Sequence, residues 1–481
     1  MHLEKIKSVY PSIVLVVLLI AGSLYTTHLI ATQNYLIGPI VVATLGGILI
    51  LGWMVRDYKM GIYFMFILSV FMSYANRMLG LQFQFGVVLD AIAGLTFFIM
   101  LFTKQHKTDW SHLKNPITYF YVFIVVYQLL QVFNPNAVSR VGWLVAFRGN
   151  TSFLLFFAFY HLFQSFEEVK KFTILWIALA ALVAIYGIWQ EAAGLNGREM
   201  QWVYSNPGRT DLLVIWGHLR KFSLLSDPSI FGLFMAFSGL ACFILALGPY
   251  STVLRLGLAA LGTIMMISMS FSGTRTAFAM VAAGIAFYIV VTIKSRKTFF
   301  VMLLAGAGLF ALLFGPFYGG TVKRIRSTFA IDKDASMGVR DKKRIRLQEY
   351  VRSHPFGGGL NTTGMNGLKY SAGHPLAEGW DPDSGYLLTA LELGWIGLTL
   401  GMMFFFVVMV QGISNYFSIN DPLLQNINLA YIVPFFALSV AHFTQDAMFQ
   451  KPVYLVIIAT YALMLTLPTY RKSQKTTHKT L

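Results

Sequence analysis

Apolar residues along this chain come in long windows close to twenty residues each, rather than in the short alternations of a soluble domain. The windows predict fourteen helices: 11–31, 37–55, 60–75, 85–103, 116–133, 149–164, 171–190, 228–247, 252–271, 275–293, 298–316, 385–411, 428–447 and 452–468. The first follows a basic flank, is longer than a signal-peptide core and runs directly into further spans, so it reads as a retained helix. The fold class predicted is all-α, a polytopic membrane protein with twelve to fourteen transmembrane helices. Helices fill 1–190, 228–316 and 385–470, separated by loops at 191–227 and 317–384 and followed by a basic tail at 471–481.

Composition agrees, with 56% hydrophobic and 12% charged residues. The net charge of +17 would suit nucleic acid, but cations beside apolar spans have a topological explanation. With the N-terminus inside, 17 of the 37 Lys and Arg fall in inner segments. The short outer loops hold Arg77, Arg140, Arg148, Arg275 and Lys451. Both termini are therefore expected in the cytoplasm, and both long loops outside. The single Cys242 excludes an intrachain disulfide and a cysteine-cluster metal site. No internal repeat or soluble domain is visible.

The loop at 317–384 is the most polar part of the chain. Ser336 as a cap and residues 337–353 form an expected amphipathic helix with Arg340, Lys343, Arg344 and Leu347 on one side. Pro355 and Gly357–Gly359 end it, giving a loop expected to approach a ligand closely. Those glycines neither follow a strand nor open a helix in a βαβ unit, which argues against a nucleotide fold. Arg220 before the eighth helix, Arg275 at the start of the tenth, Arg340 on the loop helix and Asp383 at the start of the twelfth share the expected outer face. Guanidiniums in that number suit a phosphate-bearing substrate, because each pairs bidentately with phosphate oxygens and keeps its charge. Each has a plainer alternative: interfacial snorkelling for Arg275, a loop cation for Arg220, and an N-cap for Asp383. By composition Arg344 and Arg346 compete with Arg340. Asp381 and His374 compete with Asp383, although a loop role suits His374 better. Glu392 falls inside the twelfth helix, where pinning neighbouring helices is the plainer role. His442 and Asp446 are expected one turn apart near the end of the thirteenth; Asp90 and His28 lie within spans with no role assigned.

The order of these motifs resembles the O-antigen ligase and O-antigen polymerase family, bacterial membrane glycosyltransferases of the GT-C type. The likeness rests on Arg220 with FSLLSDPSIFG, Arg275 in SGTRTAF, Arg340 ahead of HPFGGG, and DSGYLLTALELGWIG with Tyr386 and Glu392, together covering about residues 218–398. It implies a donor oligosaccharide on a polyprenyl (undecaprenyl) diphosphate, transferred at the outer face of the cytoplasmic membrane with no metal or nucleotide cofactor. By the same resemblance Arg220, Arg275 and Arg340 hold the diphosphate, and Asp383 acts on the acceptor hydroxyl with inversion. The acceptor is a glycan or a lipid, with other polysaccharide-assembly proteins as candidate partners and no nucleic acid. Ligases of the family usually carry histidine where this chain has Asp383, so the resemblance implies a polymerase of O-antigen or exopolysaccharide ahead of a ligase. A lipid-linked oligosaccharide flippase is the alternative of another class, but its charges should lie near the midplane on broken helices in repeated halves. A structural assembly factor would leave the arginines unexplained.

Overall fold

The computed structural model describes residues 22, 25, 37–80, 85–102, 110–215, 217–315, 345, 347–377 and 382–477. Nearly all of the expected helix at 11–31, the beginning of the 337–353 helix, and Arg340, Arg344, Arg346 and Asp381 lie outside the described residues. The chain runs through α1 (Ile37–Arg56), α2 (Lys59–Leu79), α3 (Phe85–Phe102), α4 (Pro116–Leu130), α5 (Arg140–Phe147), α6 (Thr151–Leu162) and α7 (Phe166–Ala193). Next come α8 (Gly197–Tyr204), α9 (Pro207–Leu213) and a two-residue hairpin of β1 (Val214–Ile215) and β2 (His218–Leu219), paired antiparallel with Val214 opposite Leu219. Then follow α10 (Pro228–Ala246), α11 (Thr252–Phe271), α12 (Arg275–Val291), α13 (Arg296–Phe314), α14 (Gly364–Tyr370), α15 (Gly385–Ser418), α16 (Pro422–Ala441) and α17 (Val453–Thr477). Among the described residues, nine helices are long and apolar enough to cross a membrane, and four apolar stretches are shorter.

Local chemistry starts several of these helices at predictable places. Asn115, Asn206, Asp227 and Asp421 each precede a proline, and each side chain accepts backbone N–H groups of the first turn. Asp227 Oδ1, for example, accepts from Ser229 at 2.8 Å and Ile230 at 3.0 Å. The core is built around α10, which packs against α11, α12 and α16 and buries Phe231, Phe234 and Phe237. Inside such an apolar bundle, small residues and interhelical hydrogen bonds do the joining. Gly284 leaves room for Leu240, and the Asn415 and Asn428 amides donate to Met464 O at 2.9 Å and Gly412 O at 2.8 Å.

Three expectations change. The sixth span, expected at 149–164, is α5 and α6 joined through a 3₁₀ turn at Arg148–Asn150. The thirteenth, expected at 428–447, begins six residues earlier, because Asp421 and Pro422 nucleate it while Asn426 and Asn428 lower the hydropathy of its first turns. It ends at Ala441, so His442 and Asp446 lie in the turn after α16, not on its surface. The twelfth runs to Ser418 and is broken at Gly394 (φ 70°, ψ −178°), a conformation open in practice only to glycine.

Candidate active site

The break in α15 organises this end of the bundle. A helix interrupted at Gly394 leaves the carbonyls of the preceding turn without their usual donors. Here Leu391 O accepts the Gly358 N–H at 2.8 Å, Glu392 O accepts the Gly359 N–H at 2.9 Å, and Leu393 O accepts the Tyr127 hydroxyl at 2.8 Å. The loop glycines, expected to approach a ligand, thus lay their backbone on the broken helix instead. A Cβ on Gly357 would overlap the Glu392 carbonyl, and one on Gly394 would overlap Pro355 O. Asn134 and Asn136 amides hold the other side of the loop through Phe356 O at 3.0 Å and Gly357 O at 2.9 Å. Glu392 accepts the Thr363 N–H at 3.4 Å, which ties its carboxylate to the segment after the glycines. Residues 347–353 are helical and stop before Pro355; Leu347 is buried with Leu376 and Leu391, anchoring the loop to α15.

His374 belongs to the same scaffold. Its Nδ1 accepts the Leu376 N–H at 3.1 Å, and Nε2 lies 3.4 Å from the Tyr350 hydroxyl. Burial pulls its pKa below the ordinary 6.5, against a hydrogen bond with the Asn136 backbone that raises it and His354 that lowers it further. The imidazole is therefore held neutral.

Arg220 is buried and spent on the protein. Nε donates to Ser272 O at 2.9 Å, Nη2 to Thr274 Oγ1 at 3.0 Å and Nη1 to Leu212 O at 3.4 Å. Thr274 passes the linkage on to Pro228 O at 3.1 Å. This lock sets the Ser272–Thr274 turn, and the next residue is Arg275, the first of α12. One residue further, Thr276 Oγ1 lies 3.2 Å from Thr444 Oγ1, in the turn after α16. That turn also receives α15: Gly385 N–H donates to His442 O at 3.0 Å, and a side chain at Gly385 would overlap the His442 ring. Ser384 caps α15, accepting from Leu387 N at 3.3 Å, so the capping role open to Asp383 falls to its neighbour and Asp383 is exposed. Residues beside Arg275 and Asp383 thus contact one short turn.

Tyr386 is fixed by its hydroxyl, which donates to Ser439 O at 2.8 Å, and its ring meets His442 edge-on at 4.6 Å. His442 Nδ1 accepts N–H groups from Ala447 at 3.1 Å and Met448 at 3.3 Å, with Asp446 Oδ1 at 3.6 Å. Two cavities meet at Tyr386. One, of about 380 Å³, is lined by Thr276, Met280, Tyr386, Met402 and Thr444. The other, of about 440 Å³, is lined by Tyr386, Met402, Glu392 and His442 and extends to Asp90, Arg148 and Lys451. Sequence reasoning assigned nothing to these last three, although a carboxylate within a span and two cations in short outer loops both break the expected pattern.

Residues 258–402 match the family model described as O-antigen ligase. No curated protein is significantly similar to the chain. The matched stretch carries Arg275, Asp383, Tyr386, Glu392 and the break at Gly394, so this part of the chain is similar to the O-antigen ligase family.

Proposed function

We propose that the protein is a polysaccharide polymerase of the bacterial cytoplasmic membrane. It moves a glycan from a polyprenyl diphosphate donor to a hydroxyl of an acceptor sugar at the outer face, with inversion. The observation that carries this reading is the convergence of α12 and α15 on the turn after α16: Thr276, next to Arg275, meets Thr444, Gly385, two residues after Asp383, meets His442, and two cavities lined largely by apolar side chains adjoin that turn. Asp383 orients the acceptor hydroxyl and accepts its proton as the oxygen attacks the anomeric carbon. The bond from that carbon to the diphosphate breaks, and Arg275, joined by Arg340, stabilises the charge on the leaving group. Arg220 contributes through the turn that presents Arg275, and Tyr386 through the wall behind the reacting groups. Arg344, Arg346 and Asp381 assist in binding the substrate.

A ligase that moves glycan to a lipid or protein acceptor is the second reading, favoured by the description of the matching family. Purified protein given lipid-linked repeat units alone separates the two. A polymerase converts them to a ladder of lipid-linked chains and releases polyprenyl diphosphate. A ligase leaves them unchanged until a lipid or protein acceptor is added. Unchanged repeat units under both conditions would contradict any transferase.

A further inference from the structure

The larger cavity contains a charged cluster that the reaction just described does not use. Asp90 on α3 binds Arg148 Nε at 2.8 Å and accepts the Thr151 hydroxyl at 3.1 Å. Lys451, just before α17, faces the same place, and among the described residues no hydrogen bond or ion pair reaches its ammonium. A Cβ on Gly86 would lie 3.9 Å from Lys451 Nζ and 4.0 Å from Arg148 Nη2, so both cations border the space left by the missing side chain. Two cations thus stand with one carboxylate in the lining of a cavity. Burial draws the Lys451 ammonium below the usual lysine range, while Asp90 opposes and Arg148 adds to the effect. An excess positive charge in such surroundings is complemented by an anion with several acceptor oxygens, for which phosphate is the natural fit.

The rest of the cavity is unlike a free-phosphate site. Beyond the cluster most of its wall is aromatic and aliphatic, with Tyr121, Ile124, Phe404, Ile457 and Tyr461, while Glu392 and His442 also line it. A cationic cluster together with a largely apolar lining matches an amphiphile with a phosphate head. The smaller cavity starts at Thr276, beside Arg275, and shares only the Tyr386 and Met402 side of the larger one.

We propose that Arg148 and Lys451 seat the phosphate-bearing head of the lipid-linked acceptor in the larger cavity, while the smaller cavity beside Arg275 receives the donor, the reacting ends meeting at the Tyr386–Met402 wall. This rests on the transferase reading above. The donor is assigned to Arg275 because charge develops on its leaving group, and a guanidinium at the start of α12 adds to the positive end of that helix. The acceptor phosphate only anchors, for which a partly neutralised pair is enough.

The test uses the full chain in lipid nanodiscs with a short polyprenyl phosphate, the same polyprenol without phosphate, and inorganic phosphate, read by native mass spectrometry. Wild type should bind the polyprenyl phosphate at two positions. Arg148→Gln with Lys451→Gln should weaken one of them by roughly tenfold or more, the loss of charge-assisted bonds to a phosphate, and leave polyprenol binding unchanged. Gly86→Asp, which adds a carboxylate beside the two cations at a position with room for Cβ, should reproduce that loss without removing either cation. Unchanged affinity at both positions in these variants would overturn the proposal, as would inorganic phosphate binding as tightly as the lipid. If lipid binding falls as predicted but purified wild type joins no repeat units, the anion site stands and the transferase reading fails.

Discussion

Cations at the loop-bearing end of this bundle fall into two groups. Arg77 and Arg220 are buried and supplied with acceptors by the chain itself. Arg77 donates to the carbonyls of Leu225 and to Ser223 O at 2.6 Å, and its guanidinium lies 4.7 Å from the Phe222 ring centre and 5.3 Å from that of Trp202. Arg220 donates to Ser272 and Thr274 in the same way. Arg148 and Lys451 instead line a cavity, where, among the described residues, Asp90 pairs with Arg148 alone. The difference shows that charge in an apolar chain is not itself a sign of a ligand. What distinguishes scaffold from site is how many of a cation's donors the protein satisfies.

That comparison makes ordered predictions. The largest effect on stability is expected for Arg77→Ala and Arg220→Ala, each of which strands buried carbonyls and removes several bonds from a charged donor. The cost should be on the order of 3 kcal/mol or more, read as lost yield and a lower Tm in detergent. Near-wild-type melting for both would erase the distinction between the groups. Next comes Gly394→Ala, which forces a side chain into a positive-φ position against Pro355 O. It should cost about 2–3 kcal/mol and loosen the glycine-rich loop, visible as faster hydrogen exchange at Gly358 and Gly359. Arg148→Gln should move stability by less than about 1 kcal/mol, as for a half-exposed ion pair, while glycan synthesis falls. An equally large loss of stability would put Arg148 with the scaffold.

The smallest effect concerns pH. Since the folded chain holds His374 below the ordinary 6.5, the unfolded chain binds more protons in that range and stability rises with pH. Its contribution is complete above about pH 6.5 and is lost as pH falls through the folded value. Compared between about pH 7.5 and pH 5, wild type should lose more thermal stability than His374→Gln. Parallel slopes would mean that His374 is not held neutral.

Much of this was legible in the chain. Asp227–Pro228 announced the start of α10, and Arg275 began α12 as its apolar window implied. The motif order also pointed to the right stretch, since residues 258–402 carry the family match. What stayed hidden depends on contacts between distant segments. The break at Gly394 is stable because glycines more than thirty residues earlier supply the missing donors, and hydropathy sees only a continuous apolar run. Arg220 looked like a ligand cation because its acceptors on the 272–274 turn lie far along the sequence. Asp90, Arg148 and Lys451 come one each from three segments and form no local motif.

The central claim is that Arg275 and Asp383 act on the same transfer. The most direct measurement is the length of surface glycan in a strain lacking the protein and complemented with Arg275→Ala or Asp383→Ala, each checked for its level in the membrane. Single repeat units should still be delivered to the cell surface, with no long chains from either variant. Chains of normal length from both, at normal protein levels, would contradict it.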